Sequence, residues 1–404
     1  MRYLGRLRAT AAITRLGGLL GVGNPYALRI AAIDALGQIA SPTSVKLLFS
    51  ELHSELFDVR HAASRALAGI DAPSLVAPVM ELLVHDRGAG RPHLLIALLG
   101  TARALTSRNL TINALVRQLA TASDNASASA ATLVLAALAT NPNATSDLER
   151  TTLRQLAVHG VPSVRAAALR SLVDDPSSEA TTALLTALAS PIDQIGAAAA
   201  YALGRRSPVA TVAITNALQR AVRRSEWATA ISASAALWRI GQRQPALLVN
   251  MVDTTQVVLF HQSRLVRSNA ARLLLQQPAS LQRNQQLLRL VQQDDSTFVR
   301  TSATQAIRLA GPSAALSPEL QQTVSARVGE ITLAPPAAEV TAWRLFDIVV
   351  GNGSNQPART EPYFFVLPSG LVEAAYSDDT GTITLEHFVA GQLEFAARTS
   401  EDDL

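Results

Sequence analysis

Apolar positions along most of the chain recur with the period of an α-helix. In the stretch FDVRHAASRALAGI, residues 57–70, a step of about 100° per residue separates two faces. A near copy, PSVRAAALRSLVDD, begins at Pro162. In the first copy we expect an apolar face of Val59, Ala63, Ala66, Leu67 and Ile70, and a second face of Arg60, His61, Ser64 and Arg65.

An alanine four places after the leading apolar residue marks each copy of this helix. The mean step between copies is about 34 residues, and a second helical segment, such as TALLTALAS from Thr182, precedes each copy. The unit is therefore predicted to be a helical hairpin, which must stack on its neighbours to bury its apolar stripe. The marker is clear at Ala32, Ala63, Ala168, Ala199, Ala270 and Ala303 and weaker at Ala97, Ala131 and Ala233.

The D-V-R-x-x-A-x-x-A-L pattern of Asp58–Leu67 and its copies resembles the second helix of HEAT repeats, particularly the short bacterial HEAT-like type first associated with phycobilin lyases. The resemblance covers roughly residues 28–311, although Gly196 stands where an arginine is expected. It implies an all-α fold, a right-handed α-solenoid of about nine hairpins over residues 1–330. The second helices of such an array are expected to line its concave surface.

The pattern changes to a period of two after Pro335-Pro336, because this dipeptide cannot continue a helix. Short segments such as EPYFFVLPSG and LVEAAYSDD alternate with turn signals, and the region holds 8 of the 17 aromatic residues. We expect residues 331–404 to form a β-rich cap or docking domain with an acidic tail. The segments predict an antiparallel meander of four or five strands that packs on the last helices.

Charge divides at the same border. From Ile331 onward three arginines face eleven acidic residues, a net charge of −8, so the rest of the chain carries +12 to give +4 in total. Codon usage and a solvated acidic tail are one explanation of this division. The alternative is that the acidic C-terminal piece lies near a basic face of the array or competes for it.

Residues that signal catalysis or cofactor binding are scarce. The chain has no cysteine, its one lysine, Lys46, is not part of a phosphate loop, and no G-x-S-x-G elbow occurs. We therefore predict no enzyme, no cofactor and no metal site. The seven histidines form no H-E-x-x-H pair and are expected at the surface or at caps, with His53 near His61 and His85 near His93 as conceivable pairs.

The N-terminal segment and the apolar runs bear on location. The basic start and apolar middle of residues 1–23 resemble a signal peptide, but Arg15 interrupts the apolar core, which favours a first helix. No apolar run reaches the length of a membrane span. A cytoplasmic location is therefore expected.

The arginines fall into two predicted groups. The HEAT resemblance assigns those that follow the leading apolar residue, Arg60, Arg165, Arg267 and Arg300, to bonds with carbonyl or acidic groups of the neighbouring turn. Of the remaining arginines, Arg65, Arg170 and Arg272 are expected to be more exposed, since they lie later on the second helices. The candidate partner-binding residues are Arg65, Arg170, Arg205, Arg206, Arg239, Arg272 and Arg308, with Trp227 and Trp238 as anchors.

The leading functional hypothesis is a non-catalytic scaffold or adaptor that binds a protein partner through the concave surface. A second hypothesis is nucleic-acid binding by the arginine-rich array. A third, which rests on the resemblance alone, is a chromophore lyase-like role. The identity of the partner and the oligomeric state stay open.

Overall fold

A computed structural model of the chain describes residues 2–70, 72–85, 90–105, 109–122, 124–141, 147–206, 210–248, 252–311, 315–328, 344–347, 362–367, 371–377, 382–385 and 394–397. The chain divides into two compact units, Met1–Ala168 and Leu169–Leu404. The predicted division at residue 331 stays a prediction, because the strands after it belong to the same compact unit as the helices from Leu169 onward.

Unit 1 is a row of helical hairpins. Short 3₁₀ turns at Thr10–Ala12 and Pro73–Leu75 precede α2 and α6. The helices are α1 Arg2–Arg6, α2 Ile13–Gly18, α3 Tyr26–Ile39, α4 Pro42–Glu51, α5 Phe57–Ala68, α6 Val76–His85, α7 Arg91–Ala97, α8 Leu99–Ala104, α9 Leu110–Ala122, α10 Asn125–Thr140 and α11 Asp147–His159, with α12 Pro162–Ser171 crossing the boundary.

Unit 2 continues the alternation of first and second helices and then adds strands. Further 3₁₀ turns lie at Leu172–Asp174 and Pro245–Leu248. Its elements are α13 Ser178–Leu188, α14 Asp193–Arg205, α15 Val212–Val222, α16 Trp227–Arg243, α17 Val252–Leu259, α18 Arg264–Arg267, α19 Ala270–Leu275, α20 Leu281–Gln292, α21 Thr297–Ala310, α22 Pro318–Val328, β1 Arg344–Asp347, β2 Pro362–Val366, β3 Val372–Tyr376, β4 Thr382–Leu385 and β5 Glu394–Ala397.

Hydroxyl caps begin five of the described helices. The side chain of Ser41 accepts a hydrogen bond from the Ser44 N–H at the start of α4 (3.0 Å). Ser177, Thr211, Ser280 and Ser317 do the same for α13, α15, α20 and α22. Such caps satisfy N–H groups that the helix itself leaves without a partner. The polar turns seen in the sequence therefore fix where these helices start.

The marker alanines define the interior of both units. Ala32, Ala63 and the seven others each lie on a second helix and are at most 1% exposed. The three weaker copies, at Ala97, Ala131 and Ala233, are as completely buried as the six clear ones. The predicted repeat register is therefore confirmed in all nine hairpins.

The arginines assigned to the scaffold bind the turn that precedes their helix. Arg60 donates from Nη1 to the carbonyls of Ser54 (2.6 Å) and Glu55 (2.9 Å). Arg267 and Arg300 bind the carbonyls five and six residues before them in the same way. Arg165 donates to the Ala157 carbonyl. This predicted role is confirmed.

The repeat that lacks this arginine receives one from elsewhere. A Cβ at Gly196 would lie 2.4 Å from Oγ1 of Thr229, so a side chain does not fit there without rearrangement. Arg224 instead donates to the carbonyls of Leu188 (2.9 Å) and Ser190 (2.7 Å) in the turn between α13 and α14. Ser190 is six residues before Gly196, the same offset as Ser54 from Arg60. A guanidinium group therefore still binds the carbonyls of this turn, although it comes from Arg224 and not from position 196.

The second helices are buried on more than the predicted face. In α5, His61 and Ser64 of the second face are buried together with Val59 and Ala63 of the apolar face. In α10, α14 and α16 almost every residue of the helix interior is buried. The expectation of a surface or capping position was wrong for His61, because neighbouring helices cover a second helix on several sides.

The strands form two antiparallel sheets. β1 pairs with β4, while the other sheet has the order β3-β2-β5. β2 and β3 run from Pro362 opposite Tyr376 to Val366 opposite Val372, and β5 pairs with the other edge of β2 with a register shift between Phe364 and Phe365. The expected meander was wrong, because among the described strands β2 and β3 are the only consecutive pair joined by ladder hydrogen bonds.

The predicted class, an array of about nine HEAT-like hairpins followed by a small antiparallel β-rich segment, is confirmed. The right-handedness of the array stays a prediction. Strand β3 does not follow the expectation of packing on the last helices: its described contacts are with α14, α16 and the junction of α18 and α19. These helices lie in the middle of unit 2.

Replacing Gly204 by alanine should destabilise the protein, because its Cβ would lie 2.5 Å from Cα of Ala236 on the adjacent helix. We expect the free energy of unfolding to fall by about 1–3 kcal/mol, as for other overpacked interiors. Urea unfolding followed by circular dichroism measures it. Gly18→Ala is the matched control, since nothing lies within 4 Å of its Cβ position; equal stability of the two variants would contradict the close approach.

Candidate binding site

Two arginines on adjacent second helices hold one carboxylate from a strand. Arg205 Nη2 lies 2.9 Å from Oε2 of Glu373, and Nη1 of Arg239 binds Oε1 of the same carboxylate. All three side chains are 7% exposed. We call Arg205, Arg239 and the side chains that orient them the arginine cradle. The cradle is nearly dry, which strengthens the attraction between opposite charges.

The local fold places the two guanidinium groups together. Arg205 is the last residue of α14 and Arg239 lies in the last turns of α16. The helices approach closely because Gly204 of α14 faces Ala236 of α16. Small residues on the line of contact therefore bring the arginines within reach of one carboxylate.

An aromatic ring orients one side of the cradle. The guanidinium carbons of Arg205 and Arg170 lie 3.6 Å and 3.9 Å from the ring centroid of Tyr201. Cations held over an aromatic face are attracted by its negative electrostatic potential. Tyr201 is itself buried, so its ring restricts the position of the Arg205 guanidinium group. The Arg170 guanidinium group lies over the same ring and so belongs to the same cluster.

The carboxylate of Glu373 is ionised despite its burial. Burial by itself raises the pKa, but the charges of Arg205 and Arg239 and their hydrogen bonds outweigh it and lower the pKa of Glu373 from 4.5 to about 2. A carboxylate with two cationic partners is thus the stable form at neutral pH. The cradle is a binding site for a single negative charge.

Two candidate arginines have structural roles within the helices. Arg206 donates to the carbonyls of Leu172 and Ser177, both at 2.8 Å. Arg272 is buried, bonds Oγ of Ser302 (3.0 Å), and has its pKa lowered to about 9 by burial. The expectation that Arg272 is more exposed was wrong, because its helix is covered on that side as well.

The other candidates differ in exposure. Arg308 is exposed on α21, and Arg65 is half-buried on α5 in the other unit. Trp227 is half-buried at the start of α16. Trp238 is half-buried and packs against a cluster formed by Ala235, Leu367 and Leu371, so it joins helix α16 to the strand segment. Of the nine candidates, Arg205, Arg239 and Trp238 contact the strand segment, and Arg170 lies beside Arg205 on the ring of Tyr201.

Sequence reasoning missed Glu373 and Tyr201. Glu373 is the single charge in the apolar run Leu371–Tyr376, and a lone carboxylate in a buried strand needs a cationic partner. This signal points to an ion pair without naming its partner. Arg205 is 168 residues away along the chain.

His53 and His159 are exposed, as expected, but two other histidines lie in the interior. His61 and His93 are buried on α5 and α7, with ring centroids 5.7 Å apart, and the ring of Phe57 stacks on His61. The conceivable pairs were His53 with His61 and His85 with His93. The observed pair instead joins two adjacent second helices, since the residues lie one repeat apart.

Within the described residues, no three His, Asp or Glu side chains lie close enough together to hold a metal ion. Across the same part of the chain, no helix has both the length and the apolar character to cross a membrane.

The stacked hairpins, the buried alanine at a fixed place in each, and the arginine that bonds the preceding turn define a helical-repeat protein. The family model of HEAT repeats matches residues 18–100, which lie within unit 1. The resemblance to HEAT-repeat proteins predicted from the sequence is confirmed.

Solved structures with a similar arrangement of helices are distant in sequence. An engineered protein is 20% identical, with a TM-score of 0.37 over 78% of this chain and 98% of that one. Human deoxyhypusine hydroxylase in complex with glycerol is 17% identical, with a TM-score of 0.31, and the match covers 68% of this chain and 98% of that one. A chain of the Kap95:Nup1 complex is 16% identical, with a TM-score of 0.45, and the match covers 80% of this chain and 50% of that one. No curated protein matches this sequence.

Replacing Glu373 by glutamine should lower the free energy of unfolding at pH 7 by about 3–5 kcal/mol, since it leaves two buried arginines without their counter-charge. The difference from wild type should narrow as the pH falls from 4.5 towards 2. The pKa of Glu373 is lower in the folded state, so the stabilisation by its ionised carboxylate is fully present above pH 4.5 and is lost progressively as the pH falls from 4.5 through about 2.

Urea unfolding at several pH values measures both effects. Glu319→Gln, an exposed glutamate on α22, serves as the control and should change stability by less than about 0.5 kcal/mol. A constant difference between wild type and Glu373→Gln from pH 7 to pH 3 would contradict the ion pair.

Proposed function

We propose that the protein is a non-catalytic scaffold that binds a protein partner through the second-helix surface of unit 2, defined here as the exposed and strand-facing sides of α14, α16, α18, α19 and α21. The arginine cradle is the observation that carries this proposal. It holds a carboxylate that an extended strand presents, and a segment of a partner protein can present a carboxylate in the same way. Helical-repeat arrays offer such surfaces without a catalytic centre.

The side chains of the surface favour a protein partner over a nucleic acid. Arg205 and Arg239 bind a carboxylate, and Arg206 is bound to two carbonyls, so these candidates are engaged within the chain. Phosphate backbones are usually bound by many accessible cations. Trp238 and its apolar neighbours instead resemble the anchors common in protein interfaces.

Reversing the charge of Arg308 should weaken partner binding about tenfold, because this candidate is exposed on the proposed surface and a tenfold loss corresponds to about 1.4 kcal/mol. Affinity capture from the native cell with the full-length tagged protein, followed by quantitative mass spectrometry, measures recovery. At least one protein should be recovered with wild type and depleted with Arg308→Glu.

Lys46→Glu is the matched control, because Lys46 is exposed on a first helix of unit 1 and lies outside the proposed surface. Equal recovery from wild type and both variants would contradict the proposal. DNA binding that falls steeply between about 50 and 200 mM salt would favour the nucleic-acid alternative. An absorption change on incubation with a tetrapyrrole would favour the lyase-like alternative.

A further inference from the structure

Strand β3 is held by polar side chains at three positions, each from a different part of the second-helix surface. Asn269, between α18 and α19, donates from Nδ2 to the Val372 carbonyl (3.1 Å) and accepts the Val372 N–H at Oδ1 (3.0 Å). Glu373 lies in the arginine cradle. The hydroxyl of Tyr376 donates to Oδ2 of Asp193 at the start of α14 (3.0 Å). The strand therefore spans several consecutive hairpins.

The groups that receive the strand are fixed by bonds among the helices themselves. Asp193 also accepts the N–H groups of Ala228 (3.1 Å) and Thr229 (2.8 Å), which orients its carboxylate at the N-terminus of α16. Asn269 is fully buried and donates to Oγ of Ser234 (2.9 Å). A receiving surface ordered in advance loses little conformational freedom when a segment binds.

The contacts define a short recognition pattern. One residue before the glutamate, at Val372, the side-chain amide of Asn269 forms hydrogen bonds with the backbone. Three residues after it, a phenol reaches Asp193. The intervening Ala374 and Ala375 are small and buried, and Leu371 packs beside Trp238. The pattern is an apolar residue, a strand residue, glutamate, two small residues and tyrosine, as in LVEAAY.

We propose that β3 occupies this surface in cis and that the partner supplies an extended segment of the same chemistry in trans, with a glutamate followed three residues later by a tyrosine. The inference rests on the proposed function, because it names what the second-helix surface binds. An incoming segment would remake the hydrogen bonds and ion pairs that β3 gives up. Main-chain contacts and a few side-chain pockets are a common way to bind extended peptides.

Occupation in cis has a measurable consequence. A ligand that binds only the open form has an apparent affinity reduced by the fraction of molecules in that form. Weakening the attachment of β3 should therefore strengthen the binding of a matching peptide. The probe is a fluorescent peptide of residues 369–379, SGLVEAAYSDD, titrated with the full-length protein and followed by anisotropy.

The full-length Glu373→Lys variant should bind this peptide at least tenfold more tightly than wild type, because a lysine facing Arg205 and Arg239 repels the strand. The same peptide with Glu373→Gln should bind the variant at least tenfold more weakly. Glu319→Lys provides the matched control, because Glu319 is exposed on α22 and lies outside the cradle. This charge reversal should leave peptide binding at the weak wild-type level.

A second variant guards against misfolding of Glu373→Lys, which circular dichroism would reveal. Tyr376→Phe keeps the ring and loses only the hydrogen bond to Asp193, and it should tighten peptide binding several-fold. Equal binding of the Glu and Gln peptides, or equal peptide affinity of wild type and Tyr376→Phe, would overturn the inference.

The two proposals fail separately. If a partner is captured in an Arg308-dependent way but the peptide does not bind either variant, the present inference is wrong and the proposed function stands. If the peptide binds as expected but no protein is captured, β3 is a cis ligand without a partner of this kind, and the proposed function is wrong.

Discussion

The close approach of second helices is the constraint from which most of the structure follows. A single helical hairpin exposes its apolar stripe, so each one must pack against the next. The line of contact is made of alanine and glycine, and the marker alanines are completely or almost completely buried in all nine hairpins. Among the arginines, Arg205 and Arg267 are the last residues of α14 and α18, and Arg60 lies in the first turn of α5, where it bonds the preceding turn.

The sequence was sufficient wherever a structural role repeats along the chain. The alanine register and the turn-binding arginines could be predicted because each copy shows the same residues at the same spacing. Gly196 broke this pattern, and nothing nearby indicated that Arg224 would bind the carbonyls of that turn. A physical requirement can be met from a neighbouring segment, which a repeat alignment does not reveal.

Roles that depend on distant contacts were beyond prediction. Arg205 and Arg239 were proposed as partner contacts, but their carboxylate lies more than a hundred residues along the chain. Arg272 and His61 were expected nearer the solvent, because an amphipathic pattern indicates one buried face and gives no sign of elements that cover the other. The second helices are covered on several sides, by helices and, in unit 2, by strands.

The single carboxylate of β3 also determines the register in which that strand lies on the helices. Val372, Ala374 and Ala375 are all buried, so both faces of the strand are apolar and hydrophobicity alone would accept it shifted by one residue. A shift would place an alanine opposite two guanidinium groups and bury the glutamate elsewhere without a counter-ion. The ion pair with Arg205 and Arg239 therefore selects one register of a strand that hydrophobic burial alone would leave ambiguous.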